Sequence, residues 1–571
     1  MKPLSKNAIQ ILEDRYLLRD ARGQIRETPE QMFRRVAVAV AAAQPDNQAA
    51  WADRFYQAMT KLLFLPNSPT LMHAGLPGGQ LSACFVIPVH DSLTSIFGSL
   101  HTAAMVHQSG GGTGFDFSEL RHKDDLVSST LGRSSGPVAF IRIYDCATEY
   151  VKQGGKRRGA NMGILRIDHP DIEEFIGAKS DKRSLANFNL SVGITDRFMR
   201  ALEAKEDFGL INPRTKEQVR SVQAEKLWDM IADKAWETGD PGMIFLDAIN
   251  RNNPTPSIGP ICSTNPCGEV PLLPYESCNL GSINLSMMTR GGGNKELDWH
   301  KLQENIALGI RFLDNVISVN HYLLPEIRQI TLANRKVGLG VMGWADLLIR
   351  LGIPYASEQA LELGDRLMRF VSEESRQASE LLARERGCFP NWAKSIHYPQ
   401  REMRNATCNS IAPTGTISVI ANASYSIEPI YGLAFKRTGI LGGKTQLQCH
   451  GIFEEHMKRL GLWNSSFRAK VLSGASVNEL PEVPERVRPL YLTSLEIPWK
   501  FHLLHQKAFQ EHTDNAVSKT INLPEETSRK EIRDIFHKAW KYGLKGVTVY
   551  RDGSKEGQVL QKCNLGLSSS C

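Results

Sequence analysis

Cys84, Cys267 and Cys278 are the residues of this chain whose type and spacing point most directly to chemistry. Cys267 lies in the segment Asn265–Glu269, where an amide, a thiol and a carboxylate occupy alternate positions. If this segment is extended, alternate side chains point to the same side. One small pocket could then hold a hydrogen-bonding amide, a carrier of hydrogen atoms or protons, and a general base. Acid–base chemistry at a carbon–oxygen centre, coupled to thiol redox chemistry, needs that set.

Two other interpretations of the segment are a plain turn and a zinc site. Asn-Pro and Cys-Gly are common loop dipeptides. Cys262, Cys267 and Cys278 cluster in the sequence, but their spacing does not match the paired CxxC of structural zinc sites, and no histidine lies nearby. We therefore predict no metal ligands in the chain.

Length and composition favour a large globular protein. The chain has 571 residues, of which 42% are apolar and 23% charged, so it can bury a very large core or several domains. Its 68 basic and 61 acidic residues give a net charge of +7, scattered along the chain. Nucleic-acid-binding proteins concentrate their positive charge, so we predict no nucleic acid partner.

The sequence predicts neither a membrane protein nor a secreted one. No stretch reaches about eighteen uncharged apolar residues, and no apolar region follows the N-terminus. Ten cysteines in 571 residues are too few for a disulfide scaffold. We expect a reducing, cytoplasmic location, where paired cysteines are more often catalytic than structural.

We predict that the elements that position these cysteines form an α/β architecture. Residues 1–65 are predicted to be helical, with a capping box at Thr28–Gln31. A short strand is expected within Leu81–Val89, and helical and strand-like stretches then alternate. Clear later elements are an amphipathic helix over Ser357–Gly387, a helix from Ser528 to Gly543, and the strand Val547–Tyr550. We predict an N-terminal helical region (1–65), a large catalytic domain (66–555) and a loose tail (556–571).

Three further segments have the composition of ligand loops. The glycines of Gly110–Gly114 would let a ligand approach the backbone. If a helix starts near Thr416 in Ala412–Ser418, its free N–H groups would hold a phosphate. Gln153–Asn161 is a basic loop flanked by glycines. On local grounds each segment also fits an ordinary role: a flexible turn, a helix cap and a solvated surface turn, respectively.

Taken together, these segments resemble ribonucleotide reductase, specifically its adenosylcobalamin-dependent class II catalytic chain. The resemblance runs from about Phe64 to about Ser554 and is specific because many motifs occur in order. They are Pro66–Met72, Leu81–Phe85, Gly110–Gly114, Gly155–Gly163, Asn265–Glu269, Ser277–Leu285, Ala412–Ser418, Asp514–Thr520 and Gly546–Gly553. The resemblance implies a ten-stranded α/β barrel with a central finger loop, preceded by the helical N-terminal region.

The resemblance also implies catalytic roles. Cys267 would be a thiyl radical that abstracts the ribose 3′ hydrogen, and Glu269 would accept the 3′-hydroxyl proton while Asn265 holds the sugar hydroxyls. Cys84 would protonate the departing 2′ hydroxyl, and Cys84 and Cys278 would supply two electrons by forming a redox disulfide. A carboxylate of ordinary pKa is ionised at pH 7 and can act as this base. A disulfide requires Cα atoms within about 7 Å, so the fold must bring together cysteines that are 194 positions apart.

Two nucleotide sites follow from the resemblance in the same way. A ribonucleotide substrate would contact Ser68, Thr70, Ala83, Cys84, Gly111, Gly112, Asn265, Pro266, Cys267, Gly268, Glu269, Pro413, Thr414, Gly415, Thr416 and Ile417. A deoxynucleoside triphosphate or ATP effector would contact Asp91, Ser92, Leu93, Arg121, Lys156, Arg157 and Arg158. Such coupling between two sites is allostery.

The implied cofactor is adenosylcobalamin, with cobalt held in the corrin. A class I large subunit uses a pair of adjacent tyrosines near its C-terminus, whereas in this chain Tyr550 has no tyrosine next to it in the sequence. That class and a catalytically silent nucleotide-binding homologue are the alternatives. Implied partners are a thioredoxin- or glutaredoxin-type reductant and a second copy of the chain in a homodimer. Diphosphate or triphosphate substrates, a shortened tail and electron transfer by Cys563 and Cys571 all stay open.

Overall fold

The protein is described by a computed structural model that covers residues 3–127, 131–151, 159–292, 295–441, 444–555 and 560–561. Seven residues named above lie outside this part of the chain: Gln153, Gly155, Lys156, Arg157, Arg158, Cys563 and Cys571.

Helices and strands alternate along most of the described chain. The helices are α1 (Lys6–Arg15), α2 (Pro29–Ala41), α3 (Gln48–Thr60), α4 (Ser68–His73), α5 (Leu93–Gln108), α6 (Pro137–Tyr150), α7 (Ile172–Ile176), α8 (Asp196–Ala204), α9 (Ala224–Thr238), α10 (Leu246–Arg251), α11 (Trp299–Val319), α12 (Pro325–Asn334), α13 (Trp344–Leu351), α14 (Glu358–Arg386), α15 (Gly415–Ala421), α16 (Gly451–Arg459), α17 (Ser465–Leu472), α18 (Trp499–Gln510) and α19 (Arg529–Lys541). The strands are β1 (Phe64–Pro66), β2 (Cys84–Val86), β3 (Gly112–Asp116), β4 (Leu126–Val127), β5 (Gly132–Arg133), β6 (Asn161–Arg166), β7 (Phe188–Ile194), β8 (Asp207–Ile211), β9 (Gln218–Gln223), β10 (Gly242–Phe245), β11 (Ser263–Thr264), β12 (Pro271–Leu272), β13 (Ser277–Asn284), β14 (Thr289–Arg290), β15 (Glu296–Leu297), β16 (Val337–Met342), β17 (Ala434–Leu441), β18 (Lys444–Cys449), β19 (Thr520–Leu523), β20 (Gly546–Arg551) and β21 (Leu560–Gln561).

Local sequence signals set several of these boundaries as predicted. The Thr28 hydroxyl accepts from the Gln31 backbone amide, and the Gln31 side chain accepts from the Thr28 backbone amide. The capping box of α2 is therefore confirmed. Ser357 caps α14, which ends at Gly387, and Ser528 caps α19. The amphipathic faces of α2 and α3 pack on each other and contribute to one large buried core with α11 and α14.

A ten-stranded mixed sheet forms the centre of the molecule. β1 and β2 both pair with one side of β13, and β16 pairs with its other side. From β2 the order continues through β3, β6, β7, β10, β20 and β19. Strands β3, β6, β7 and β10 run parallel and are strongly buried, as expected where helices cover the outside.

The extended segment Thr407–Ile411 closes this sheet into a barrel. The Leu339 amide of β16 donates to the Cys408 carbonyl at 2.9 Å, and the Ile411 amide donates to the Ala516 carbonyl at 3.1 Å, just before β19. The segment therefore joins the two edges of the sheet. The predicted ten-stranded α/β barrel with a helical N-terminal region is confirmed.

Candidate active site

The segment around Cys267 is the tip of a hairpin inside the barrel. β11 and β12 pair antiparallel and enclose residues 265–270. The Gly268 amide donates to the Asn265 carbonyl at 3.1 Å, and Gly268 has a φ of +81°, which favours glycine. The expectation of an extended segment is therefore wrong: the amide, thiol and carboxylate lie together because the chain turns back on itself.

Close backbone packing and hydrogen bonds fix this finger in place. A β-carbon at Gly114 of β3 would lie 2.7 Å from the Thr264 carbonyl carbon and closer still to its oxygen, so only glycine fits there. On the opposite side the Glu269 carbonyl accepts from the Ser410 hydroxyl at 2.8 Å and the Ala516 amide at 2.9 Å. The finger is thus tied both to β3 and to the segment that closes the barrel.

The barrel brings Cys84 and Cys278 face to face. β2 and β13 pair antiparallel with Cys84 opposite Cys278, and directly opposed Cα atoms in such a pair are about 4.5–5.5 Å apart. Both thiols are buried and unbridged. The finger residues Val270 and Leu272 pack in the same apolar cluster. Two cysteines distant in sequence can therefore form a disulfide beside the finger.

Burial sets the protonation of these groups. Burial raises the pKa of Glu269 to about 7, against the opposing effect of a hydrogen bond from the Asn265 side chain, so the expected ordinary pKa is wrong. Burial, with the Glu269 carboxylate adding to it, raises the pKa of Cys84 well above that of an ordinary thiol, and burial also raises the pKa of Cys278. The site therefore holds two protonated thiols and a carboxyl group poised near neutral pH.

A cleft with about 1120 Å³ of empty space opens at the finger tip. Most of the predicted substrate residues line it: Ser68, Ala83, Cys84, Gly111, Gly112, Asn265, Pro266, Cys267, Glu269, Pro413, Thr414, Gly415, Thr416 and Ile417. The Cys267 side chain is exposed in this cleft, whereas Asn265 and Glu269 are 3% and 2% exposed. A molecule in the cleft can therefore reach Cys267 directly.

One end of the cleft suits a phosphate. α15 begins at Gly415, so the amides of Gly415, Thr416 and Ile417 have no partner within the helix and carry the positive end of its dipole. The Thr414 hydroxyl faces inward, where it contacts the Ser418 hydroxyl at 2.8 Å and accepts from the Ser426 amide at 2.8 Å. Backbone amides, more than hydroxyls, are available to an anion at this end.

Three predicted residues lie outside the cleft lining. The Thr70 hydroxyl is buried and donates to the Leu81 carbonyl at 3.1 Å. Gly268 forms the turn behind Cys267, and Cys278 lies behind Cys84 and is 1% exposed. The structure thus places Cys84 between the cleft and Cys278.

Two residues of the lining, Asn67 and His107, and one residue that supports it, Tyr16, were not singled out by the sequence analysis. Asn67 caps α4 through its side-chain oxygen, and its Nδ2 is buried without a hydrogen-bond partner. His107, at the end of α5, contacts the Thr113 hydroxyl through Nε2 at 2.9 Å, and burial lowers its pKa to about 4. Tyr16, just after α1, holds the Ser68 hydroxyl at 2.7 Å. Asn67 directly precedes Ser68 in a motif already noted, whereas no sequence signal marks His107 or Tyr16.

Four of the predicted effector residues form a cluster remote in sequence from the finger. The Ser92 hydroxyl caps α5, which begins at Leu93. Arg121 donates from Nε to the Asp91 carboxylate at 2.8 Å and from its amide at 3.2 Å. Because α5 starts at this cluster and ends near the cleft at His107, one helix of about 24 Å connects the two.

Comparisons with known proteins agree with this architecture. The family model "Ribonucleotide reductase, barrel domain" matches residues 82–402 and 397–550, and "Ribonucleotide reductase, all-alpha domain" matches residues 2–79. The chain is 46% identical to a "Vitamin B12-dependent ribonucleoside-diphosphate reductase" of Thermoplasma acidophilum, over 98% of this chain and 80% of that protein. A Mycobacterium tuberculosis protein of the same description is 47% identical, with the same coverage.

More distant similarity extends to other proteins. A Chlamydia muridarum "Ribonucleoside-diphosphate reductase subunit alpha" is 31% identical over 96% of this chain and 58% of that protein. Among solved structures, an Actinobacillus ureae class Id ribonucleotide reductase alpha subunit superimposes with a TM-score of 0.80 at 22% identity, covering 96% of this chain and 97% of that one. At that identity the structural match shows the fold alone.

Proposed function

The chain belongs to the ribonucleotide reductase family, and from this premise we propose that it reduces ribonucleotides to 2′-deoxyribonucleotides for DNA synthesis, with adenosylcobalamin as cofactor. The observation that carries the proposal is the cleft, which Asn265, Cys267, Glu269 and Cys84 all line, with Cys278 opposite Cys84 in the strand pair. Such a set serves carbon–oxygen bond cleavage coupled to thiol oxidation.

The finger residues perform the first half of the reaction. Cys267, as a thiyl radical, abstracts the 3′ hydrogen of the ribose, and Glu269 takes the 3′-hydroxyl proton as a general base. The pKa of Glu269, raised by burial to about 7, matches this task at neutral pH. Asn265, which also bonds Glu269, holds the sugar hydroxyls.

The cysteine pair performs the second half. Cys84 donates its thiol proton to the 2′ hydroxyl, which leaves as water. Cys84 and Cys278 then supply two electrons and become a disulfide, and Cys267 returns the hydrogen to the 3′ carbon. Overall, one ribonucleotide and two thiols give one deoxyribonucleotide, one water and one disulfide. The raised pKa of Cys84 supports its role because it keeps the thiol protonated until the 2′ hydroxyl departs.

The residues at the finger tip fit the cofactor's task. Adenosylcobalamin, when bound, supplies radical chemistry by homolysis of its cobalt–carbon bond. Cys267 is the residue that receives the radical, and its exposure in the cleft, beside buried neighbours, supports this role. The corrin ring holds the cobalt, so the chain need not provide a cluster of metal ligands.

The substrate is a ribonucleoside diphosphate. The relatives with 46% and 47% identity carry that substrate in their names. The open amides of α15 hold the phosphate end, and α1 packs against α15 from outside. The sugar then lies between this helix and the finger.

A nucleotide effector and a second copy of the chain complete the proposal. Asp91, Ser92, Leu93 and Arg121 contribute to the effector site, together with the predicted loop residues Lys156–Arg158. A homodimer is supported by the exposed apolar residues Leu93 and Phe97, one turn apart on α5, and Ile143 on the adjacent α6, which are 64%, 48% and 41% exposed.

The reductant is a dithiol protein of the thioredoxin or glutaredoxin type, because each turnover leaves a disulfide that must be reopened. We place this cycle in the cytoplasm, where such dithiols are maintained. In the described residues no helix combines the length and apolar character needed to cross a membrane.

The proposed activity is tested by incubating the purified chain with adenosylcobalamin, a dithiol and ribonucleoside diphosphates. Formation of 2′-deoxyribonucleotides is expected without any second radical-generating subunit. Activity that required such a subunit would favour the class I alternative, which the lower, 31% identity to the subunit alpha relative does not support. Nucleotide binding without turnover under all conditions would favour a catalytically silent homologue. The presence of all five site residues argues against that alternative: Cys84, Asn265, Cys267, Glu269 and Cys278.

A further inference from the structure

A fully buried ion pair lies directly beside Cys278. Lys336 Nζ donates to the Glu276 carboxylate at 2.7 Å, and the two side chains are 1% and 0% exposed. Glu276 is also held by the Leu273 amide at 2.8 Å and by Asn334 Nδ2 at 2.7 Å. Burying two charges is costly, so a pair held this firmly at a redox cysteine calls for a role.

The two charged residues flank Cys278, one along the chain and the other across the sheet. Glu276 lies two positions before Cys278, immediately before β13 begins at Ser277, and its carboxylate acts electrostatically on the Cys278 thiol. β13 and β16 are parallel with Asn279 opposite Val337, which puts Cys278 opposite Lys336. Cys278 Sγ also lies 3.6 Å from the Lys336 carbonyl oxygen.

The two redox cysteines differ in access. Cys84 lines the cleft, whereas Cys278 does not and is 1% exposed. An incoming thiolate that enters through the cleft therefore meets the Cys84 sulfur first. The groups that act electrostatically on Cys278 are Lys336, Glu276, Glu269 and Cys84, and Lys336 is the cation among them.

We propose that Lys336, positioned by Glu276, stabilises Cys278 as the leaving thiolate when a dithiol reopens the Cys84–Cys278 disulfide. This inference rests on the redox pair of the proposed function. A reductant thiolate attacks the Cys84 sulfur, the Cys84–Cys278 bond breaks, and a new disulfide joins Cys84 to the reductant. Cys278 takes the electron pair as thiolate. The second reductant thiol then displaces Cys84, and the two protons of the reductant end on the two cysteines.

Lys336 is a positioning residue in this scheme because it touches neither substrate nor reductant. A lower pKa of the leaving thiol speeds thiol–disulfide exchange. The rate of disulfide reduction should therefore rise when only the Glu276 carboxylate is removed, and fall when both charges of the pair are removed. A purely structural role of the pair would not produce opposite signs.

The test uses the full chain without cofactor or nucleotide, oxidised by diamide and reduced by dithiothreitol, with alkylation and peptide mass spectrometry to follow the disulfide. Glu276→Gln should accelerate reduction by about two- to fivefold. The charge-free double variant Glu276→Gln/Lys336→Met, which leaves no unpaired charge, should slow it by about five- to tenfold. A control that removes a partly buried pair elsewhere, Lys179→Met/Asp240→Asn, should stay near the wild-type rate; the second lysine on Asp240, Lys555, is 42% exposed and stays solvated.

The site of attack is read from a monothiol adduct. 2-Mercaptoethanol added to the oxidised chain should leave its adduct on Cys84 and an alkylatable thiol on Cys278. An adduct on Cys278, or wild-type rates in both Glu276 variants, overturns the inference while the proposed function stands. If diamide does not join Cys84 to Cys278 at all, the redox pair of the proposed function falls, and the inference falls with it.

Discussion

The contact between Gly114 and Thr264 gives a sharp test of how the barrel positions the radical cysteine. In a Gly114→Ala variant the new β-carbon would lie 2.7 Å from the Thr264 carbonyl carbon, whereas ordinary contact begins at 3.4 Å. The obstacle is backbone on both sides, so no rotamer change relieves it. The finger must therefore retreat by at least the difference, 0.7 Å, and further to clear the carbonyl oxygen.

That retreat should affect chemistry more than binding. A misplacement of about 1 Å can cost about 10²-fold in rate, because reacting atoms must be held at near-attack distance. We expect kcat for deoxyribonucleotide formation to fall by about that factor, while KM changes little because the α15 amides are untouched. Overpacking should also lower the free energy of unfolding by about 1–3 kcal/mol.

The assay compares Gly114→Ala with Gly451→Ala, where a β-carbon meets nothing within 4 Å at the first residue of α16. Turnover, KM and thermal unfolding are measured for both variants and the wild type. The control should match the wild type in all three. Wild-type kcat in Gly114→Ala would refute the view that this contact sets the position of Cys267.

Four further predictions address the site residues themselves. Cys267→Ser should abolish turnover while nucleotide binding, measured by calorimetry, persists; substantial activity in that variant would rule out the radical role. Cys84→Ser or Cys278→Ser should block repeated turnover with dithiols, and continued cycling in either variant would remove the redox pair. The raised pKa of Glu269 makes kcat/KM rise with pH through about 7. The same raised pKa makes the free energy of unfolding depend on pH. It is largest below about 4.5, the pKa of this carboxyl group in the unfolded chain, and it falls as pH rises through about 7, because the folded protein must then hold a buried charge. Glu269→Gln should therefore be more stable than the wild type at pH 8, by up to about 3 kcal/mol, with little difference at pH 4, and equal melting curves at pH 8 would contradict the pKa shift.

The sequence predicted most of the elements because their signals are local. The capping residues Thr28, Ser357 and Ser528 and the glycine at 387 act within one helical turn of the boundaries that they define. The barrel and its finger loop were predicted from the family resemblance, which rests on many motifs in a fixed order. Site residues next to glycines or prolines, such as Asn265 and Gly112, were found for the same reason.

Long-range packing explains what the sequence did not predict. The alternation of Asn265, Cys267 and Glu269 looked like a strand, but closure of the hairpin overrides that pattern with a turn. The pKa of Glu269 depends on burial by segments up to 247 positions away, such as Ala516, whose amide holds its carbonyl. His107 and Tyr16 carry ordinary local sequence, and only the fold brings them to the cleft wall and to Ser68.

The register between β2 and β13 connects the core to the chemistry. Cys84 and Val86 point into the barrel against the finger residues Val270 and Leu272, whereas Phe85 points outward into the core under α5 and α6. A slip of one residue would place Phe85 opposite Cys278 and turn Cys84 away from the cleft, because side chains alternate between faces. It would also force a large aromatic ring between the barrel wall and the finger. The packing that stabilises Phe85 on the outside therefore holds the two redox sulfurs together on the inside.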